Sequence, residues 1–404
     1  MKSLGVLMLI CAATMSVRAQ QTPEKLTLAQ ALDMANRQNL DLIAARAQRA
    51  VAEANVKIAG QRLNPTANVT SLRDDPHQGV FFDLPFELGS KRKRRIELAR
   101  AQGVLTEDDV AALERVTRQN VRDAFFTLAL ARGVTAAKND AVSLAKRLHD
   151  IAQQRYQAGD VPQLEVFQAD LVVSQAQADY QVAQQEERVA LNALNALLNE
   201  PPATDWDLVT PLADLPAEPG LNDLLARAGK SNAELEKINQ QEKIEQSQRA
   251  LYQADRIPNL NLQLGVDFNS PHNFRYGYRS QASMELPIFM RYQGEIAESN
   301  ASLVALEDQA AATRRAVEGR VESAFLQLDS REAQARLYKD SLMPAADKLE
   351  GMAEESYKAG KANILSVLDA QKNVQAVREQ YLQSLLAVHQ AFAQLEATVG
   401  APLD

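Results

Sequence analysis

The side chains that could do chemistry in this 404-residue chain are few and scattered. Four histidines, His77, His149, His272 and His389, stand far apart, with no H-E-x-x-H pair, no glycine-rich phosphate loop and no nucleophile elbow. Small-residue patches such as Ala99–Gly103 fit helix packing rather than a phosphate cradle. His77 and His272 each follow a proline between short alternating segments, in Asp74-Asp75-Pro76-His77 and Ser270-Pro271-His272. Copies of that pair around one mouth would bind cations weakly, but ordinary turn chemistry accounts for them. The single cysteine, Cys11, lies in the apolar run Leu4–Thr14 between Lys2 and Val17-Arg18-Ala19. This pattern reads as a secretory signal peptide over residues 1–19, and Ile10 before Cys11 argues against lipidation. Cleavage after Ala19 leaves no thiol for catalysis, disulfides or metal binding. The expectation is a protein that is not an enzyme and carries no cofactor and no resident metal.

Charge narrows the partners. The formal net charge is −8, and removing Lys2 and Arg18 leaves 42 basic against 52 acidic side chains. A moderately acidic exported chain is a poor candidate for nucleic acid. The basic run Lys91-Arg92-Lys93-Arg94-Arg95 then fits anionic lipid head groups at a membrane rim, with a solvated helix start as the plain alternative. No run of about 20 apolar residues follows the leader, so any membrane span must be built of strands.

The elements that position these residues are written twice. Residues 28–69 align without a gap to 221–262, with Leu28/Leu221, Ala35/Ala228, Asn39/Asn232, Pro65/Pro258 and Asn68/Asn261 identical. A second match joins Tyr156–Ala169 to Tyr357–Ala370 and runs on to Pro201/Pro402. The unit is too long for a solenoid period. It divides the chain into copies at 20–202 and 220–404, with 203–219 as a linker. Each copy reads as a short helix, a medium helix, a β-rich insert, a very long helix and a returning helix. In the first copy the last three helices cover Leu40–Arg62, Lys91–Ala158 and Leu164–Leu198; in the second, Ala233–Ala254, Arg291–Ala359 and Ile364–Val399. A helix from Lys91 to Ala158 would run about 100 Å, far beyond a globular diameter.

The inserts, about 65–85 and 258–287, discriminate a rod from a membrane protein. Leu260, Leu262, Leu264, Val266 and Phe268 alternate with Asn259, Asn261, Gln263, Gly265 and Asp267, and the alternation resumes over Arg275–Leu286. Strands of about 10 residues with this alternation are the transmembrane β-barrel pattern. Four strands per chain cannot close a barrel, so closure must come from oligomerisation. The first hairpin, roughly Thr66–Arg73 and Gly79–Leu84, looks short and weakly alternating. Its second strand would cover only about 20 Å at 3.3 Å per residue.

With these features the chain resembles the TolC-like outer-membrane factors of bacterial tripartite efflux and type I secretion systems. The resemblance spans the mature chain, and its most specific parts are the two Y-x-A-G turns and the Leu84-Pro85 and Leu286-Pro287 exits. Glu87-Leu88-Gly89-Ser90-Lys91-Arg92…Arg95 is similar to the signature of the heavy-metal (cation) efflux branch. The resemblance implies a mainly α protein with a transmembrane β insert. Tandem-duplicated long α-hairpins would form a trimeric α-barrel tunnel topped by a 12-strand β-barrel, four strands per chain. It implies a homotrimer in the outer membrane with its tunnel in the periplasm, partnered by a periplasmic adaptor (membrane fusion protein) and an inner-membrane RND-type pump. The tips Tyr156, Ala158, Gly159, Tyr357, Ala359 and Gly360 would meet the adaptor. Motif by motif, the pore-constricting carboxylates fall on Asp369 and Glu165, and a further family acid falls on Ser366. Drug efflux or type I protein secretion is the alternative within the class, and a periplasmic coiled-coil scaffold the alternative outside it.

Overall fold

The computed structural model describes residues 24–74, 76–217, 219–270 and 274–403. The expected signal peptide with Cys11, and the hairpin residue His272, lie outside the described residues. In the first copy, β1 (Glu24–Leu26), α1 (Leu28–Gln38) and α2 (Leu40–Ala59) lead to β2 (Thr66–Ser71) and β3 (Gln78–Phe86). Then come α3 (Lys91–Gln157) and α4 (Gln163–Leu198), and β4 (Trp206–Leu208) follows in the linker. The second copy runs α5 (Leu221–Ser231), α6 (Ala233–Asp255), β5 (Leu260–Ser270), β6 (Phe274–Met284), α7 (Gln293–Leu337), α8 (Met343–Lys358) and α9 (Ile364–Val399).

Equivalent residues do equivalent work in the two copies. Asn39 and Asn232 each cap the following helix, their Oδ1 accepting two backbone N–H groups. Each also donates its Nδ2 to the end of the returning helix, Asn39 to the Leu197 carbonyl at 3.1 Å and Asn232 to that of Thr398 at 2.8 Å. One asparagine thus turns the chain and docks the C-terminus of α4 or α9 beside that of α1 or α5.

The long helices differ where the copies differ. Helix α3 is continuous over 67 residues, about 100 Å. Its counterpart, expected as one helix over Arg291–Ala359, runs without a gap from Gln293 to Lys358 but passes through a π-helical turn at Tyr338–Leu342. The identical residues explain why: Val121, Phe125 and Leu128 match Val321, Phe325 and Leu328, but Tyr156 matches Tyr357, so the second copy carries one extra residue between these marks. A wider turn absorbs one residue without rotating the rest of the helix out of phase. Pro344 follows at the start of α8, where its missing N–H costs least.

Side by side, the helices form a row. The end-to-end pair α2 and α4 packs on one side of α3, and α6 and α9 pack on the other. Helices α7 and α8 lie beyond α6 and α9. The main core sits at mid-length, where Phe125, Phe126, Leu194, Leu198, Leu224, Leu328 and Phe392 meet. A three-residue parallel pairing of β1 with β4 fastens the linker there. Arg132 holds Asp205 at 2.6 Å and also the Trp206 carbonyl. The Trp206 indole donates to Asn195 at 2.7 Å.

The four strands of the inserts form one antiparallel sheet in the order β2-β3-β5-β6. Strand β3 is longer than the hairpin pattern implied. It keeps Pro85 and Phe86, which pair with Asn261 and Leu260 of β5, and nine residues cover about 30 Å rather than about 20 Å. Proline is tolerated because β2 has already ended, its first residue Thr66 pairing with Asp83. The short member of the sheet is β2, with six residues.

Candidate functional site

The sheet has two chemically opposite faces. Val69, Val80, Val266 and Tyr278 are paired across all four strands and share one face with Phe82, Leu84, Leu262, Leu264 and Met284. Val69, Phe82, Leu264, Tyr276 and Tyr278 are exposed there. The other face is a polar ladder: Asp83 accepts from Asn68 and, at 2.8 Å, from Gln263, while Arg279 pairs with Asp267 at 2.8 Å. Phe81 is the exception on the polar side. Its ring lies over the strand at Gly265 and Gly79, where a Cβ would overlap it, and the Arg279 guanidinium covers it at 5.0 Å. Such a sheet suits lipid on one side and water on the other. Among the described residues β2 and β6 have no outer neighbour, and an open edge cannot persist in lipid.

Below the sheet, the basic run is largely committed within the chain. Lys91 is buried and donates to Asn259 at 2.9 Å. Arg92 reaches the Gly60 carbonyl at 2.6 Å, and Arg95 those of Ala59 and Gln61 at 3.4 and 3.3 Å, so both cap the C-terminus of α2. Arg95 also forks onto Glu87, a hydrogen bond that holds the Glu87 carboxyl below the usual range and raises Arg95. Arg94 pairs with Glu97 at 2.8 Å. Lys93, 73% exposed and 3.9 Å from Glu97, is the member most open to a lipid head group.

At the far end of the rods both Y-x-A-G turns close alike. Gly159 and Gly360 sit at φ 83° and 71°, with Ala158 and Ala359 N–H bonded back to Gln154 and Glu355. Their tyrosines part company: Tyr156 is 40% exposed and Tyr357 is fully buried. Arg155 lies over the Tyr357 ring at 5.1 Å. The Tyr357 hydroxyl makes no well-aligned hydrogen bond but lies near Glu165 and Arg155; burial, then the Glu165 charge, push it up to about 12. Glu165, itself buried, accepts the Ile364 N–H at 3.3 Å and so reaches across to the start of α9.

The two carboxylates expected to constrict a pore therefore occupy different settings. Glu165 latches one tip to the other, while Asp369 is exposed on α9 and not part of that cluster. Ser366 belongs to the α9 cap, donating to Asn363 from both its backbone and its hydroxyl. The latch partners Arg155 and Tyr357 were not foreseen as a pair, because no sequence spacing links the two tips. His77, His149 and His389 are far apart in the fold, and among the described residues no group of three or more His, Cys, Asp and Glu could hold a metal. His389 is a core residue, stacked on Phe126 at 3.4 Å with Nε2 against the Leu212 carbonyl at 2.9 Å; burial lowers it to about 4. Among the described residues no helix is long and apolar enough to cross a membrane.

The profile of the outer membrane efflux protein family matches residues 31–200 and 224–401, one match on each copy. The chain belongs to the outer membrane efflux protein family. The cobalt-zinc-cadmium resistance protein CzcC of Cupriavidus metallidurans is 27% identical over 388 residues, covering 93% of this chain and 90% of that protein. The fold is shared with CusC, described in terms of transmembrane channel formation (TM-score 0.75, 17% identity, 93% and 92% of the two chains). It is shared also with the outer membrane protein VceC of Vibrio cholerae (TM-score 0.73, 15% identity, 93% and 97%). The MtrE outer membrane channel of Neisseria gonorrhoeae, in its open state, superposes with a TM-score of 0.71 at 17% identity over 93% and 89%. The family is one of outer-membrane efflux channels and is not an enzyme family.

Proposed function

We infer that this protein is the outer-membrane exit duct of a tripartite efflux system, passive in itself. The observation that carries the reading is the four-stranded sheet, apolar on one face, polar on the other and open at both edges, set on rods about 100 Å long. Three chains supply 12 strands and close the edges, and the copies 20–202 and 220–404, joined by 203–219, become six nearly equal staves. The helical tunnel lies in the periplasm. The tips at Tyr156–Gly159 and Tyr357–Gly360 face the adaptor, and an inner-membrane RND-type pump supplies energy and substrate choice. Asp369 lines the constriction as a threefold carboxylate ring, which concentrates negative charge and favours cations. Glu165 holds the tips closed through the Ile364 N–H.

Metal cations are the substrate class, supported by the kinship with a cobalt-zinc-cadmium resistance protein and by the Glu87–Arg92 run. The test is a strain lacking the gene, plated on cobalt, zinc and cadmium salts and separately on hydrophobic drugs. Metal sensitivity that the wild-type gene reverses is expected. Sensitivity confined to drugs would assign the duct to drug efflux instead.

A further inference from the structure

The seam between the two copies inside one chain contains an arginine whose repeat counterpart is left facing outward. On α3, Arg115 reaches across to the second copy and donates to the Ser231 carbonyl at 3.1 Å, the Gly400 carbonyl at 3.2 Å and Glu236 at 3.0 Å. Ser231 is the last residue of α5, and Gly400, with φ 85°, is the left-handed cap of α9. One guanidinium thus serves two helix C-termini, where carbonyls concentrate partial negative charge.

Apart from the Glu236 carboxylate, the parts of this arrangement exist a second time. Gln38 ends α1 as Ser231 ends α5, and Asn199, with φ 56°, caps α4 in the left-handed region as Gly400 caps α9. Asn39 clasps the α4 terminus to the α1 terminus just as Asn232 clasps α9 to α5. The matches Val121/Val321 and Leu128/Leu328, all fully buried, fix the phase of α7 against α3. In that phase Arg115 corresponds to Arg315. Arg315 is 87% exposed and contacts Glu318 on its own helix at 3.1 Å. The platform of Gln38 and Asn199 lies at the opposite flank of the helix row, and both residues are exposed.

We propose that Arg315 is an intersubunit clamp, donating to the Gln38 and Asn199 backbone carbonyls of a second copy of this chain. The seam that α3 makes with α6 and α9 inside one chain then recurs between α7 of one chain and α2 and α4 of the next. The counterpart of Glu236 is Ile43, so the clamp rests on carbonyls alone. This inference rests on the three-chain reading given above.

The test uses the full chain, whose only native cysteine is Cys11. The double variant Arg315→Cys/Asn199→Cys, purified in detergent and treated with a short bis-maleimide, should give two- and three-chain products on a denaturing gel. Each single variant should stay at one chain. Light scattering on the wild-type protein is read alongside. A three-chain particle without interchain product in the double variant would overturn the clamp and leave the duct standing, whereas a one-chain particle would overturn both. Arg315→Ala should lower the temperature at which the particle dissociates, Arg315→Lys should recover part of it, and Arg331→Ala, at another exposed arginine of α7, should not move it. Equal dissociation temperatures for Arg315→Ala and wild type would also count against the clamp.

Discussion

Asp123 carries a buried Oδ1 without a hydrogen-bond partner, and desolvation raises its carboxyl to about 6 against the attraction of Arg122. A carboxyl whose folded pKa is raised contributes stability below its unfolded value of 3.8, and that contribution is lost as pH rises through 6. Above that window the ionised group opposes folding. Asp123→Asn is therefore expected to raise the melting temperature at pH 8, with the advantage shrinking between pH 6 and pH 4; a pH-independent difference would contradict the assignment. At the tip, the Tyr357 hydroxyl has no aligned partner while the ring is fully buried under Arg155. Tyr357→Phe should leave amide exchange around both turns unchanged. Tyr357→Ala, which removes a buried ring at a cost of about 3–5 kcal/mol, should make both turns exchange faster, since Glu165 and Ile364 lose the surface they close on. The carboxylates were named as candidates through the resemblance of their motifs to the family. Their different settings were not legible, because the burial of Glu165 depends on how the α3–α4 turn packs against the α8–α9 turn.

The sheet depends on two glycines. A Cβ at Gly265 would run into the Phe81 ring and the Val80 carbonyl, whereas Gly294, near the start of α7, meets open space. Gly265→Val is expected to abolish recovery of folded protein from the membrane fraction, and Gly294→Ala to be tolerated or mildly stabilising; equal yields would contradict the placement of Phe81. Among the elements, α9 was legible to its end residues, Ile364 and Val399, because it repeats the returning helix of the first copy. The π turn at Tyr338–Leu342 was hidden, because a one-residue insertion shows only when the buried positions of both copies are matched. Strand β3 was underestimated because a proline usually ends a strand, and only the continued pairing with β5 shows that Pro85 does not. The β1–β4 pair is too short to leave a periodic signal.

The duplication makes the whole molecule a row of helices and strands with unlike ends, and in the proposed assembly these ends join head to tail with a rotation that closes a ring. This architecture was foreseeable from the two copies and the alternating inserts together, since rods alone would equally describe a scaffold. The claim that the ring is a duct is tested most directly by single-channel recording of the purified protein in planar bilayers. The account predicts cation-preferring current steps of low conductance in the wild type, rising in Asp369→Ala and Glu165→Ala as the carboxylate ring and the tip latch are removed. An assembled Asp369→Ala/Glu165→Ala double variant that carries no current, or the same current as the wild type, would contradict it.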